Sequence, residues 1–145
     1  MEAKLEDPAT ADEVIDALPS DVELVREAYG LRVDCTRIQE TARSVRRFLE
    51  LLSSEIELAG DSELWEPCRG KPAATQSLVN VALNCAECSF ALEDVRVPDP
   101  GHVLACGTVL IRPAGTSEVQ KRAFTHLWTI SNGAASRVES LGQTA

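Results

Sequence analysis

Residues 118–141 read EVQKRAFTHLWTISNGAASRVESL, and this stretch decides the fold. Apolar side chains are spread over both faces of a long extended run, Val119, Ala123 and Leu127 with Phe124, Trp128 and Ile130. Ser131-Asn132-Gly133 supplies a reverse turn, and Ala134 to Leu141 resumes as a second strand carrying Val138. Asn-Gly tolerates the left-handed angles of a tight hairpin, so two long antiparallel strands are predicted here. The upstream chain reads as material that covers one face of such a sheet.

The chain has 145 residues, enough for one domain with a sizeable core. With 3 Phe, 1 Tyr and 2 Trp, that core must be built mainly from Leu, Val, Ile and Ala. Acidic residues outnumber basic ones 23 to 14, a net charge of -9, which disfavours nucleic acid as a partner. No apolar run is long enough to cross a bilayer and no secretory leader pattern is present, so the expectation is a soluble cytoplasmic protein. The five cysteines, Cys35, Cys68, Cys85, Cys88 and Cys106, form no disulfide framework, and their odd number leaves at least one thiol unpaired within the chain.

Working outward, Pro113-Ala114-Gly115-Thr116 is a turn, His102 to Arg112 is strongly β-like, Pro98 to Gly101 is another turn, and Ser89 to Val97 alternates as a strand. Pro72 suits the first turn of a helix that continues through Ala74, Leu78, Val81, Ala82 and Cys85 and ends near Asn84. Ser62 to Gly70 is a loop with Trp65 as its aromatic anchor. Ser54 to Ala59 reads as a short strand after a helix, capped by Thr36 or Thr41, whose apolar stripe is Val45, Phe48, Leu49, Leu52 and Ile56. Arg43, Arg46 and Arg47 on its other side read as a solvated face. Ser20 and Glu23 form a capping box that opens a helix reaching about Gly30. Residues 1–19 are acidic and read as a flexible N-terminal segment, leaving 20–145 as the single domain. The order is helix, helix, strand, helix, then four strands: an α+β fold with helices against one face of a bent sheet.

That order, with VRRFLELLSSEIELA (45–59), GHVLACGTV (101–109), FTHLWTISNGAASRVESL (124–141) and the opening DVELVREAY (21–29), resembles the SnoaL-like branch of the nuclear-transport-factor-2-like (NTF2-like) superfamily. The resemblance spans Ser20 to Leu141. It implies a cone-like fold, a curved mixed sheet wrapped around helices, with an apolar pocket at the wide end and a homodimer formed through the sheet. Members include polyketide cyclases, ketosteroid isomerases, epoxide hydrolases, dehydratases and non-enzymatic binders, so no reaction transfers with the fold.

In enzymes of this superfamily the pocket usually holds an Asp-His or paired-acid arrangement. His126 is the candidate base, because it shares a strand face with Phe124, Trp128 and Ile130, and Asp61 is its candidate acid. The same placement suits a satisfied core or interface histidine. Trp65, Phe90, Phe124 and Trp128 are the candidate ligand-binding residues. His102, at a strand start after a turn, reads as solvated, and Glu63, Glu66, Asp94 and Glu139 read as surface carboxylates. Cys85 and Cys88 lack the partner pair that a zinc site needs, Cys68 has no activating neighbour, and no cofactor-binding motif is present. Gly101 serves a turn and Gly107 a place where a curved strand needs room. Three functions follow: binding of a small hydrophobic or mixed-polarity molecule; an isomerase, cyclase or hydrolase using His126 and Asp61; or a dimerisation module whose pocket is filled by its own side chains.

Overall fold

The computed structural model describes residues 20–60, 62 and 65–141. The N-terminal segment and the candidate acid Asp61 lie outside these residues.

Helix α1 occupies residues 20–28, and Tyr29-Gly30 turns the chain out of it. Ser20 is already helical, so it lies inside the helix and not at its cap. Strand β1 (Val33–Asp34), too short to leave a pattern in sequence, leads to α2 (Ile38–Glu50). Arg37 is the N-cap of α2 and makes no side-chain cap bond. Thr36 and Thr41, both predicted caps, serve Asp34 instead: Thr36 donates to its carboxylate, and Thr41 Oγ1 accepts from its N–H and donates to its carbonyl, each at 2.9 Å.

The stripe read as one helix is divided between two elements. Val45, Phe48 and Leu49 belong to α2, whereas Leu52 and Ile56 are buried in β2 (Leu52–Gly60). Apolar spacing of four residues satisfies both periods, since positions four apart share a strand face as well as a helix face. Strand β3 (Cys68–Arg69) lies within the expected loop, and α3 runs Lys71–Asn84 with Pro72 in its first turn. Cys85, expected on that helix, instead starts β4 (Cys85–Asp99) with no intervening loop. Then come β5 (His102–Pro113), β6 (Gln120–Ser131) and β7 (Ala134–Ser140).

Among the described residues seven strands form one mixed sheet in the order β1-β4-β5-β6-β7-β2-β3, curled into a half-barrel. All neighbouring pairs are antiparallel except β2 with β7. The β6–β7 hairpin turns at Asn132 (φ 55°) and Gly133 (φ 77°), the left-handed pair that a two-residue turn requires. Gly107 lies opposite Leu92, beside a register shift in β4. A Cβ there would lie 2.1 Å from the carbonyl oxygen of Ala91, so this crowding of two strands requires glycine.

The core collects on one sheet face. Val103, Ala105 and Val109 of β5, Phe124, Trp128 and Ile130 of β6 and Val138 of β7 meet Val25, Ala28 and Tyr29 from α1. Alternation is strict along β6, where Phe124, His126, Trp128 and Ile130 are all buried and Thr125, Leu127 and Thr129 half-buried.

Candidate functional site

The buried face of β6 meets the end of α1 at a polar knot. Trp128 Nε1 donates to Tyr29 Oη at 2.8 Å, and Tyr29 Oη lies 2.6 Å from His126 Nδ1. An indole N–H can only donate, so the phenol oxygen accepts it and the phenol hydrogen goes to His126. Nδ1 is therefore unprotonated, and neutral His126 carries its hydrogen on Nε2. Burial lowers the His126 pKa to about 4 and pushes the Tyr29 phenol well above its ordinary range. Both groups are neutral at pH 7. No carboxylate among the described residues hydrogen-bonds to His126, and its Nδ1 is occupied by the phenol.

Aromatic rings enclose this knot. Tyr29 stacks on Phe124 with centroids 5.1 Å apart and meets Phe90 edge-on at 5.4 Å; Phe90 and Phe124 are themselves 5.8 Å apart. Trp65 lies 5.0 Å from the His126 ring and is tied down by an indole bond to the Ala59 carbonyl. The structure thus brings Trp65, Phe90, Phe124, His126 and Trp128 into one cluster, where they pack on one another and on Tyr29. Tyr29, the hub, left no signal in sequence beyond being the single tyrosine.

The other titratable candidates lie apart. His102 Nδ1 contacts the Asp99 carboxylate at the exposed β4–β5 turn. Asp94 pairs with Arg96 at 2.7 Å and Glu139 with Arg137 at 2.9 Å. Glu63 lies outside the described residues. Glu66 lies beside Cys68, whose thiol is raised by burial and by that carboxylate, the opposite of activation. Burial also pushes the Cys88 thiol up to about 12.

Among the described residues, two of the hollows meet at Cys85. One, of about 430 Å³, is a polar cleft lined by Trp65, Glu66, Asn80, Asn84 and Gln120. The other is an apolar groove of about 790 Å³ between α2 and α3, walled by Val33, Ile38, Val45, Leu49, Val79 and Leu83. Ile38 and Leu83 are 75% and 73% exposed, an unusual position for large aliphatic side chains in neighbouring elements. Asp34, Thr41 and Arg46 supply polar groups to its lining. A signal for this groove was present in sequence: α3 has no charged residue after Lys71, and Val79 and Leu83, four apart, form an apolar strip separate from the buried Ala74 and Leu78.

No protein-family model matches the chain, and no curated protein matches it in sequence. In three dimensions it is similar to an NTF2-like protein of unknown function from Burkholderia pseudomallei K96243, at 18% identity and TM-score 0.67, covering 86% of this chain and 92% of that one. The fold is nuclear-transport-factor-2-like. A SnoaL-like polyketide cyclase from Jannaschia sp. CCS1 shares this nuclear-transport-factor-2-like frame at 14% identity and TM-score 0.62, covering 85% of each chain. So does a Mycobacterium tuberculosis protein crystallised with estradiol-17β-hemisuccinate, at 10% identity and TM-score 0.66, covering 86% of this chain and 95% of that one. The cone-like α+β architecture expected from the resemblance is therefore present. No helix among the described residues is long and apolar enough to cross a membrane.

Proposed function

We propose that the protein binds a small, mainly apolar molecule in the groove between α2 and α3 and does not transform it. The groove carries this reading: its volume of about 790 Å³ is in the range of small-molecule sites, and its walls are mainly aliphatic with a few polar groups. Similarity to a protein crystallised with a steroid ester supports the use of this fold for such ligands. Catalysis by His126 is disfavoured because a base of pKa about 4, already bonded to Tyr29, is a weak proton acceptor at neutral pH.

A homodimer through the outward face of the sheet belongs to the same reading. Leu104 and Leu127, register partners on β5 and β6, are half-buried on that face and offer an apolar centre.

The test is titration with N-phenyl-1-naphthylamine, an uncharged fluorophore that brightens in apolar sites. Saturable one-to-one binding is expected, at least tenfold weaker in Ala42→Trp, which fills the groove from α2. Binding that is absent, or unchanged in that variant, removes the groove as the site.

A further inference from the structure

We infer that the ligand of this groove is an amphipathic acid, an apolar body with one anionic group held by Arg46. The inference rests on the groove being the binding site and adds the chemical class of its occupant.

Among the described residues the charges facing the groove are few, and only one is free. Neither the walls from α3 nor the first residues of β4 nor Ala114 and Gly115 contribute a charge. From β1 comes Asp34, whose carboxylate accepts the N–H and hydroxyl of Thr36 and lies 3.9 Å from the Arg37 guanidinium. From α2 comes Arg46, which makes no hydrogen bond or ion pair among the described residues. The neighbouring arginines are directed elsewhere: Arg47 pairs with Glu27 at 2.8 Å and, with Arg43, lines a hollow on another side of α2. An unpaired guanidinium among the aliphatic residues that line the groove matches an anion attached to an apolar body. A planar fork of N–H donors recognises carboxylate and sulfonate oxygens alike.

Arg46 also gives the groove a direction. Ile38 and Arg46 are eight residues apart on α2, about 12 Å along the axis at 1.5 Å per residue. Asp34, just before α2, already has Thr36 and the Arg37 guanidinium as partners. The bound acid therefore lies with its charged group at Arg46 and its apolar body toward Ile38.

Two probes with the same aromatic skeleton test this: 1-anilinonaphthalene-8-sulfonate and the uncharged N-phenyl-1-naphthylamine. The wild-type protein should bind the sulfonate about two- to fivefold more tightly, the scale of one exposed ion pair. Arg46→Gln should abolish that preference by weakening the sulfonate more than the uncharged probe, Arg46→Lys should retain part of it, and 0.5 M salt should shrink it. If Ala42→Trp blocks both probes while Arg46→Gln leaves sulfonate affinity unaltered, the groove stands as a site and the anionic class is overturned. If Ala42→Trp blocks neither, the groove itself is not the site and the inference falls with it.

Discussion

The phenol oxygen of Tyr29 lies 2.6 Å from Nδ1 of His126, joining the end of α1 to the middle of β6 across 97 positions of sequence. The same oxygen accepts the Trp128 indole, so one atom satisfies two buried groups on the sheet. Tyr29→Phe keeps the ring stack on Phe124 but strands an indole donor and an imidazole acceptor. Each stranded group costs about 1–3 kcal/mol, so a loss of roughly 2–6 kcal/mol is expected in urea unfolding. A loss below about 1 kcal/mol would show that water or another group replaces the hydroxyl.

His126 makes stability depend on pH with a definite sign. Its folded pKa, about 4, lies below the unfolded value near 6.5, so between those values the unfolded chain binds more protons. Its contribution is fully present above pH 6.5 and is lost as pH falls toward 4; at pH 5 the loss is about 2 kcal/mol. The midpoint of urea unfolding should therefore fall further from pH 7 to pH 5 in the wild type than in His126→Gln, which has no titrating ring. Equal falls in both proteins would mean that His126 is not buried in its neutral form.

How much of this was legible in sequence varies by element. The β6–β7 hairpin and the shared face of Phe124, His126, Trp128 and Ile130 follow from period-two alternation and Asn-Gly, both local properties. The helix limit at Glu50 was not legible, because Leu52 and Ile56 continue a spacing compatible with either a helix or a strand. Cys85 was assigned to α3 for a related reason: nothing breaks the chain where α3 passes directly into β4. Tyr29 could not be singled out, since its role arises from two groups of β6 meeting the end of α1 at one oxygen and no local pattern encodes that. The groove was half legible, in the uncharged length of α3, but Ile38 and Arg46 joined it only when α2 was placed alongside.

Gly107 tests the reading of sheet curvature. Leu92 faces it and the register of β4 shifts immediately after, so the backbone carbonyl of Ala91 occupies the space a side chain would need. Gly107→Ala forces two hydrogen-bonded strands apart, where no flexible side chain can yield. A loss of about 2–3 kcal/mol is expected, at the large end for a single methyl. A variant with unchanged thermal stability would show that the strands separate there without penalty.

The outward sheet face makes the final prediction. A 15.7 kDa chain that pairs through Leu104 and Leu127 should scatter light at twice that mass in solution. Leu127→Arg places a charge at the centre of that contact while leaving the inward face of β6, with Phe124 and Trp128, untouched. A buried unpaired charge costs far more than a half-exposed leucine contributes, so the variant should scatter as a monomer with its fold intact. A wild type that scatters at the single-chain mass, or a variant that remains a dimer, excludes this face as the contact between copies.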